Sequence, residues 1–277
     1  MTTAGTDSRA AARTLTVPRV ALGKLQVSRM LIGGNMFSGF SHISPQKDRE
    51  MISYYTAERI KAALRRAEKL GINTFVGRAD RHVARLLREY WDEGGKIQWI
   101  AQTASELQSL TTSINFAIDA GASAVYIHGG KMDWLHAARD LDQAAKGVEQ
   151  IRAAGLTTGI ATHRPPVLQW AEARKLPVDF YMCSYYDPTP RIDNPMHDPK
   201  AGETYDTGDR DAMVAAIPKL SKPAIHYKVL AAGRTPPAQA FAFVQQHWRE
   251  GDAVCIGVYL KDKPDMMEEN LGMFFGP

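Results

Sequence analysis

From Leu31 onward, short apolar runs rich in β-branched and aromatic residues alternate with longer runs whose apolar residues recur every three or four positions. The first pattern belongs to a strand buried on both faces, the second to an amphipathic helix. Eight strands are predicted: SRMLIGGN, GINTFVG, KIQWIAQTA, SAVYIHG, TTGIATH, VDFYMCSYY, AIHYKVLAAG and AVCIGVYL. Between them, TAERIKAALRRAEKLG sets Ile60, Ala63, Leu64, Ala67 and Leu70 on one helical face. LDQAAKGVEQIRAAG does the same with Leu141, Ala144, Ala145, Val148 and Ile151. EKLGIN, DAGASA, RAAGLT and REGDAV read as helix ends, where glycine takes the left-handed conformation and the next strand starts at once. Eight strand-helix units in roughly 250 residues are what a closed (β/α)8 TIM barrel needs; a doubly wound sheet has fewer strands and a glycine-rich first turn. IGGNMFSG has neither the spacing of that turn nor a helix start behind it, so the predicted fold class is an α/β barrel.

Ahead of the first barrel strand, RVALGKLQVSRMLIGGNMF holds two short apolar strands around LGKL, a hairpin before the barrel begins. With that opening, AEKLGINTF at the second strand, VYIHGG at the fourth, GIATH at the fifth, HYKVLAAG at the seventh and IGVYLKDKPDMMEEN at the eighth, the chain resembles the aldo/keto reductase superfamily over almost its whole length. The resemblance implies that the hairpin caps the bottom of the barrel. It also implies a site that this sequence has largely replaced. Reductases of that family end the second strand in Asp, carry a Tyr acid soon after it, a Lys at the end of strand three and a His at the end of strand four. Here the corresponding positions hold Val76, Arg81 or His82, and Gln102 or Thr103, and only His128 remains. A carbonyl receiving hydride needs a proton donor beside the developing alkoxide, which the Tyr-Lys pair supplies, so the usual arrangement is not built. The Ser-Asn pair and the Gln that hold the nicotinamide carboxamide fall on Ala161-Thr162 and about Cys183, and Met266 stands where an Arg precedes EEN. Tyr227 keeps the place of the aromatic that stacks on nicotinamide, and Lys261 and Lys263 lie near the adenosine phosphate loop. NADPH is therefore a possible cofactor whose nicotinamide-binding residues are mostly absent.

Composition changes this picture little. The 277 residues are 44% hydrophobic and 23% charged, ordinary for a globular protein, and residues 15–277 are expected to form a single barrel domain behind a flexible tail at 1–14. A formal charge of +4 is mild, and Lys and Arg are interspersed with Asp and Glu, which reads as a solvated surface and not a nucleic-acid face. Cys183 and Cys255 sit in strand-like runs, excluding a disulfide scaffold and a multi-cysteine zinc module; a reducing cytoplasm is the default. No apolar run reaches the roughly 20 residues needed to cross a bilayer. Homo-oligomerisation is left open.

In such a barrel the C-terminal strand ends converge on one mouth. Those ends supply Asn35, Arg78, Asp80, Gln102, His128, His163, Cys183, Tyr185, Asp187, His226, Lys228 and Arg234. Each has an ordinary structural explanation: Asn35 caps a turn, Arg78 pairs with Asp80, Cys183 fills core, His226 bonds a backbone carbonyl. His128, His163 and Lys228 stand apart because each directly follows an apolar run, where an ionisable group is costly without partners or a task. Lys228 suits a base, a Schiff-base nucleophile or an oxyanion clamp, with an ion pair to Asp187 or Asp80 as its structural alternative. His128 and His163, from neighbouring strands, suit an acid and a base on opposite sides of a small substrate. His128, His163 and His226, or Cys183 in place of one, would alternatively hold a divalent metal, although no HxH or HExxH spacing occurs. Two long loops, 36–55 and 186–208, overhang the mouth as lids or binding walls and suit a sugar-like substrate. Arg234 in AAGRTPP lies at the usual barrel phosphate position.

The first functional expectation is proton transfer on a small hydroxy-carbonyl or sugar-derived substrate, of isomerase, epimerase or lyase type, with His128, His163 and Lys228 catalytic. Asn35, Arg78, Asp80, Gln102, Tyr185, His226, Tyr227 and Arg234 would bind substrate. The second is an NADPH-dependent reductase in which Tyr185 or His82 replaces the missing donor; the third is a non-catalytic ligand-binding barrel.

Overall fold

The computed structural model describes residues 16–104, 109–190 and 202–276. The tail expected at 1–14 lies outside them. The chain opens with the antiparallel hairpin β1 (Arg19–Leu22) and β2 (Leu25–Ser28), whose tight turn is made by Gly23 at φ 55. Barrel strand β3 (Met30–Gly33) follows, then α1 (Pro45–Tyr54) and α2 (Ala57–Lys69). The units then repeat as β4 (Thr74–Arg78) with α3 (Arg81–Asp92), β5 (Gln98–Gln102) with α4 (Leu110–Asp119), and β6 (Ala124–Ile127) with α5 (Gly129–Ala137) and α6 (Asp142–Ala153). They continue as β7 (Thr157–Thr162) with α7 (Pro165–Ala173), β8 (Phe180–Ser184) with α8 (Thr207–Ala216), β9 (Ala224–Tyr227) with α9 (Pro237–His247), and β10 (Ala253–Gly257) with α10 (Met266–Phe275). The eight strands β3 to β10 pair in parallel and close, β10 joining both β9 and β3. The fold is a (β/α)8 barrel with an N-terminal hairpin, as the hydrophobic pattern predicts.

Because strand side chains alternate between faces, each strand feeds two cores. Leu31, Val76, Ile100, Tyr126, Phe180, Met182 and Ile225 fill the barrel interior, and Leu22 and Val27 of the hairpin join that cluster from below. Phe75, Trp99, Val125, Ile160, Tyr181, Cys183 and Val254 point the other way, into the layer shared with the helices. Helix α2 shows how that layer is built: Thr56 caps its N-terminus by accepting from the Arg59 amide, and Ile60, Ala63, Leu64 and Ala67 are buried on the face read from the sequence. Each fully buried Leu or Ile of this kind contributes roughly 1.5–3 kcal/mol. The glycine stops hold at Gly71, Gly121 and Gly155, all left-handed. REGDAV is a correction: α9 ends earlier, at His247, with Trp248 extended, and Gly251 is not left-handed. The stretch 36–55 is also not a plain loop, since it carries a 3-10 turn at Met36–Ser38 and all but the last residue of its second half forms α1, capped by Ser44 and started by Pro45. Among the described residues no helix is long and apolar enough to cross a membrane.

Candidate active site

A cavity of about 390 Å³ opens at the C-terminal strand ends. Its floor is the last inward layer of the barrel: Val76, Gln102, Tyr126, Met182, Tyr227 and Cys255. Asn35, just past β3, and Lys228, just past β9, stand on its wall. Lys228 is held with φ at 58, and Ala231, Ala232 and Gly233 of the same turn are left-handed too, so the backbone doubles back over the mouth. Burial holds the Tyr126 phenol well above its ordinary range, with Tyr227 and Cys255 adding to the shift, so it stays a neutral hydrogen-bond donor. The same burial pushes the Cys255 thiol up to about 12, which leaves it un-ionised and poorly nucleophilic.

Beside the floor stands His163, its ring centroid 6.1 Å from that of Tyr227. Its Nδ1 lies 2.7 Å from Asp133 Oδ2, and the Asp133 side chain, from α5, is almost fully buried. The other carboxylate oxygen accepts from the Thr162 hydroxyl, and the His163 amide also points at Asp133. With Nδ1–H donating to a carboxylate, the neutral imidazole leaves Nε2 as its proton acceptor. Gly129 makes this approach possible: a Cβ there would meet His163 Cε1 at 3.0 Å and the Tyr227 hydroxyl at 3.1 Å. His128 directly follows β6 as the N-cap of α5 and is not among the residues that line the cavity; its amide donates to Thr103 Oγ1.

A second polar group closes the mouth from above. His42, left-handed at φ 58, receives Asn35 at Nε2 (3.2 Å) and places Nδ1 2.7 Å from Glu203 Oε1. Glu203 also accepts from the Tyr205 hydroxyl. Burial works to raise this carboxyl, but the bonds and charge of His42, the Tyr205 hydroxyl and the nearby Lys228 outweigh it and hold it at about 2. Arg234 donates to the His42 carbonyl and lies 4.2 Å over the Tyr205 ring. The two segments predicted to overhang the mouth are therefore joined to each other by the His42–Glu203 hydrogen bond. Residues 191–201 of the second lie outside the described residues.

No family model and no curated protein matches the chain in sequence. Solved structures match it in shape. A glycerol dehydrogenase, AKR11B4 from Gluconobacter oxydans, superposes with TM-score 0.54 at 10% identity over 96% of this chain and 97% of that one. Gox0644 in its apo form gives TM-score 0.59 at 11% identity, over 94% and 88%. The chain shares their (β/α)8 barrel fold. The barrel shape is also shared with an archaeal fructose-1,6-bisphosphate aldolase, solved with its catalytic Lys bound to a carbinolamine, at TM-score 0.51 and 15% identity over 90% and 94%.

Within this barrel, Asn35, Gln102, Tyr227 and Lys228 line the cavity and His163 adjoins it through Tyr227. Other expected residues fall elsewhere, chiefly because consecutive strand residues face opposite ways. Tyr185 and His226 are buried outside the barrel wall, with the Tyr185 hydroxyl 2.9 Å from His226 Nδ1 and His226 Nε2 3.3 Å from Asp252. Neither can bind substrate, and Cys183 faces the same outer layer, so the metal set built on His226 or Cys183 is not assembled. Asp80 is the N-cap of α3, accepting from the Val83 amide, and pairs with Arg78 at 3.3 Å. His82 is exposed in the first turn of that helix, so neither it nor Tyr185 replaces the missing proton donor. Arg78 lies 4.9 Å over Phe40 and is among the charges felt by Tyr126. Arg234 ties the lids together and does not line the cavity. Among the described residues, the carboxylate that feels the charge of Lys228 is Glu203, not Asp187 or Asp80. Asp187 faces Arg164 and His163, and burial raises its carboxyl against their pull.

Tyr126, Asp133, His42 and Glu203 were not singled out by sequence reasoning. Tyr126 was findable, since it lies two residues before His128 and so on the same face. Asp133 was not, because its role depends on α5 packing against β7.

Cofactor fit is uneven. Asp133, His163 and Asp187 bring ligand atoms within 4.8 Å of one another, but Asp133 is taken up by Thr162 and His163, and Asp187 by Arg164. That leaves no set of open donors for a divalent cation. For NADPH, the cavity does run on past Tyr259 to Asn270, whose Nδ2, like the Tyr259 hydroxyl, is buried with no hydrogen-bond partner among the described residues. At the other end Ala161 and Met182 offer a carboxamide no hydrogen bond, and Lys263 is ion-paired with Glu269. The residues do not fit a nicotinamide, and no hydride step follows from them.

Proposed function

We propose that this barrel is an enzyme of proton transfer next to a carbonyl, of the isomerase, epimerase or lyase type, acting on a hydroxy-carbonyl or sugar-derived substrate. The observation that carries the reading is the His163-Asp133 pair: a largely buried imidazole, oriented by a carboxylate and beside the cavity floor, is a general base in place. His163 Nε2 takes the proton from the carbon next to the carbonyl. The C–H electron pair becomes the C=C bond of an enediolate, and the carbonyl electrons move onto oxygen. Lys228 and the neutral Tyr126 hydroxyl stabilise that oxygen, and Asn35 and Gln102 orient the substrate hydroxyls. Return of the proton to the former carbonyl carbon, with the hydroxyl proton passing to the enediolate oxygen, gives an isomer; protonation of the first carbon on its opposite face, from water, gives an epimer. With a leaving group at the β carbon, expulsion of that group completes an elimination.

The test is incorporation of solvent deuterium into the carbinol carbon of hydroxyacetone, followed by proton NMR. Uptake that depends on His163 supports the reading; none above the buffer rate with hydroxyacetone or dihydroxyacetone sinks it. Quenching of the five tryptophans by micromolar NADPH would overturn this reading.

A further inference from the structure

The cavity wall is not what a sugar site needs. Five of the chain's 11 methionines, Met36, Met51, Met182, Met266 and Met273, line it. Methionine is flexible and polarizable, and surfaces rich in it wrap apolar ligands of varied outline. The charged groups around the outer lobe neutralise one another: Lys47 pairs with Asp262 at 2.8 Å, and Lys263 with Glu269. Nothing there calls for a phosphate or a second carboxylate. The rim continues the pattern, because among the described residues the large exposed apolar side chains are Phe40, Ile43, Ile52 and Met273. Ile43 and Met273 line the cavity, Ile52 packs where a Cβ on Gly39 would sit, and Phe40 lies under Arg78. Exposed apolar side chains grouped at the edge of a cavity mark a surface that meets an apolar partner. Polar groups, by contrast, gather at the inner end: Asn35, Gln102, Tyr126 and Lys228. At about 390 Å³ the space is in the range of pockets for drug-sized ligands and leaves most of its volume unused by a triose.

We infer that the substrate is an aryl hydroxy-carbonyl compound, its polar head on the barrel floor and its flat apolar body along the methionine wall, emerging between Ile43 and Met273. This inference rests on the proton-transfer reading for what the head undergoes, and on the wall alone for the apolar body.

The experiment is calorimetric titration of the full chain with hydroxyacetone, α-hydroxyacetophenone and α-hydroxyacetonaphthone, which share one head. Affinity should rise roughly tenfold or more at each step as apolar area is buried. In the double variant Ile43→Ser, Met273→Ser, both positions exposed and outside the reacting groups, the gain should shrink while hydroxyacetone binds as before. Equal affinities, absence of binding by all three, or a gain untouched in the double variant would each overturn the inference. Deuterium uptake in the same samples reads the chemistry separately. An affinity gradient without uptake rejects the proton-transfer reading and keeps the aryl body; uptake from hydroxyacetone with no gradient does the reverse.

Discussion

His163 and His226 show how two histidines at strand ends take different roles from one residue of register. His163 packs beside Tyr227 of the cavity floor, with Asp133 behind Nδ1. Replacing Asp133 by Asn should lower deuterium uptake by about 10²-fold or more while circular dichroism stays unchanged, because the amide no longer fixes the tautomer or stabilises the imidazolium. His226 faces outward and is fully buried; burial lowers its pKa against the pull of Asp252. The neutral ring is the native form, so as pH falls below about 6.5 the unfolded chain takes up a proton that the native chain resists. Stability is lost on acidification through that window, by up to about 1.4 kcal/mol per pH unit. The variant His226→Gln should be less stable at pH 7 yet lack that slope, as urea midpoints between pH 7 and 5 will show. The sequence placed both residues at the right end of the barrel. It did not separate them, because reading successive residues at a strand end as one group ignores the pleat.

At the scale of elements, the strands and their order were legible because both barrel faces are buried and left-handed glycine marks four of the helix ends. The lids were legible only as length. That the chain from β3 to α1 and the chain before α8 meet through His42 and Glu203 depends on two irregular segments more than 150 residues apart, since the pair is separated by 161 positions, and no local signal encodes that. A charge-assisted bond of this kind is worth about 1.5–3 kcal/mol. Replacing Glu203 by Gln should therefore speed amide hydrogen exchange over residues 39–44 by roughly tenfold or more, leaving the barrel strands protected. Unchanged exchange there would show that the pair does not hold the lid.

For the whole molecule, the two ends of the barrel divide the work. The hairpin seals the bottom with Leu22 and Val27, both fully buried, and the polar groups collect at the top. Truncating Leu22 to Ala should cost about 2–5 kcal/mol by urea unfolding yet leave deuterium uptake per folded molecule unchanged. The turn after β9 reverses that division. A folded chain of this size is stable by only about 5–15 kcal/mol. A left-handed backbone costs a residue other than glycine about 1 kcal/mol, and this turn incurs it at Lys228, Ala231 and Ala232. Asparagine at 228 would ease the chain, so foldability alone would discard the lysine. Under the proposed function, that lost margin against heat and mutation is what sets the amine in one place over the cavity.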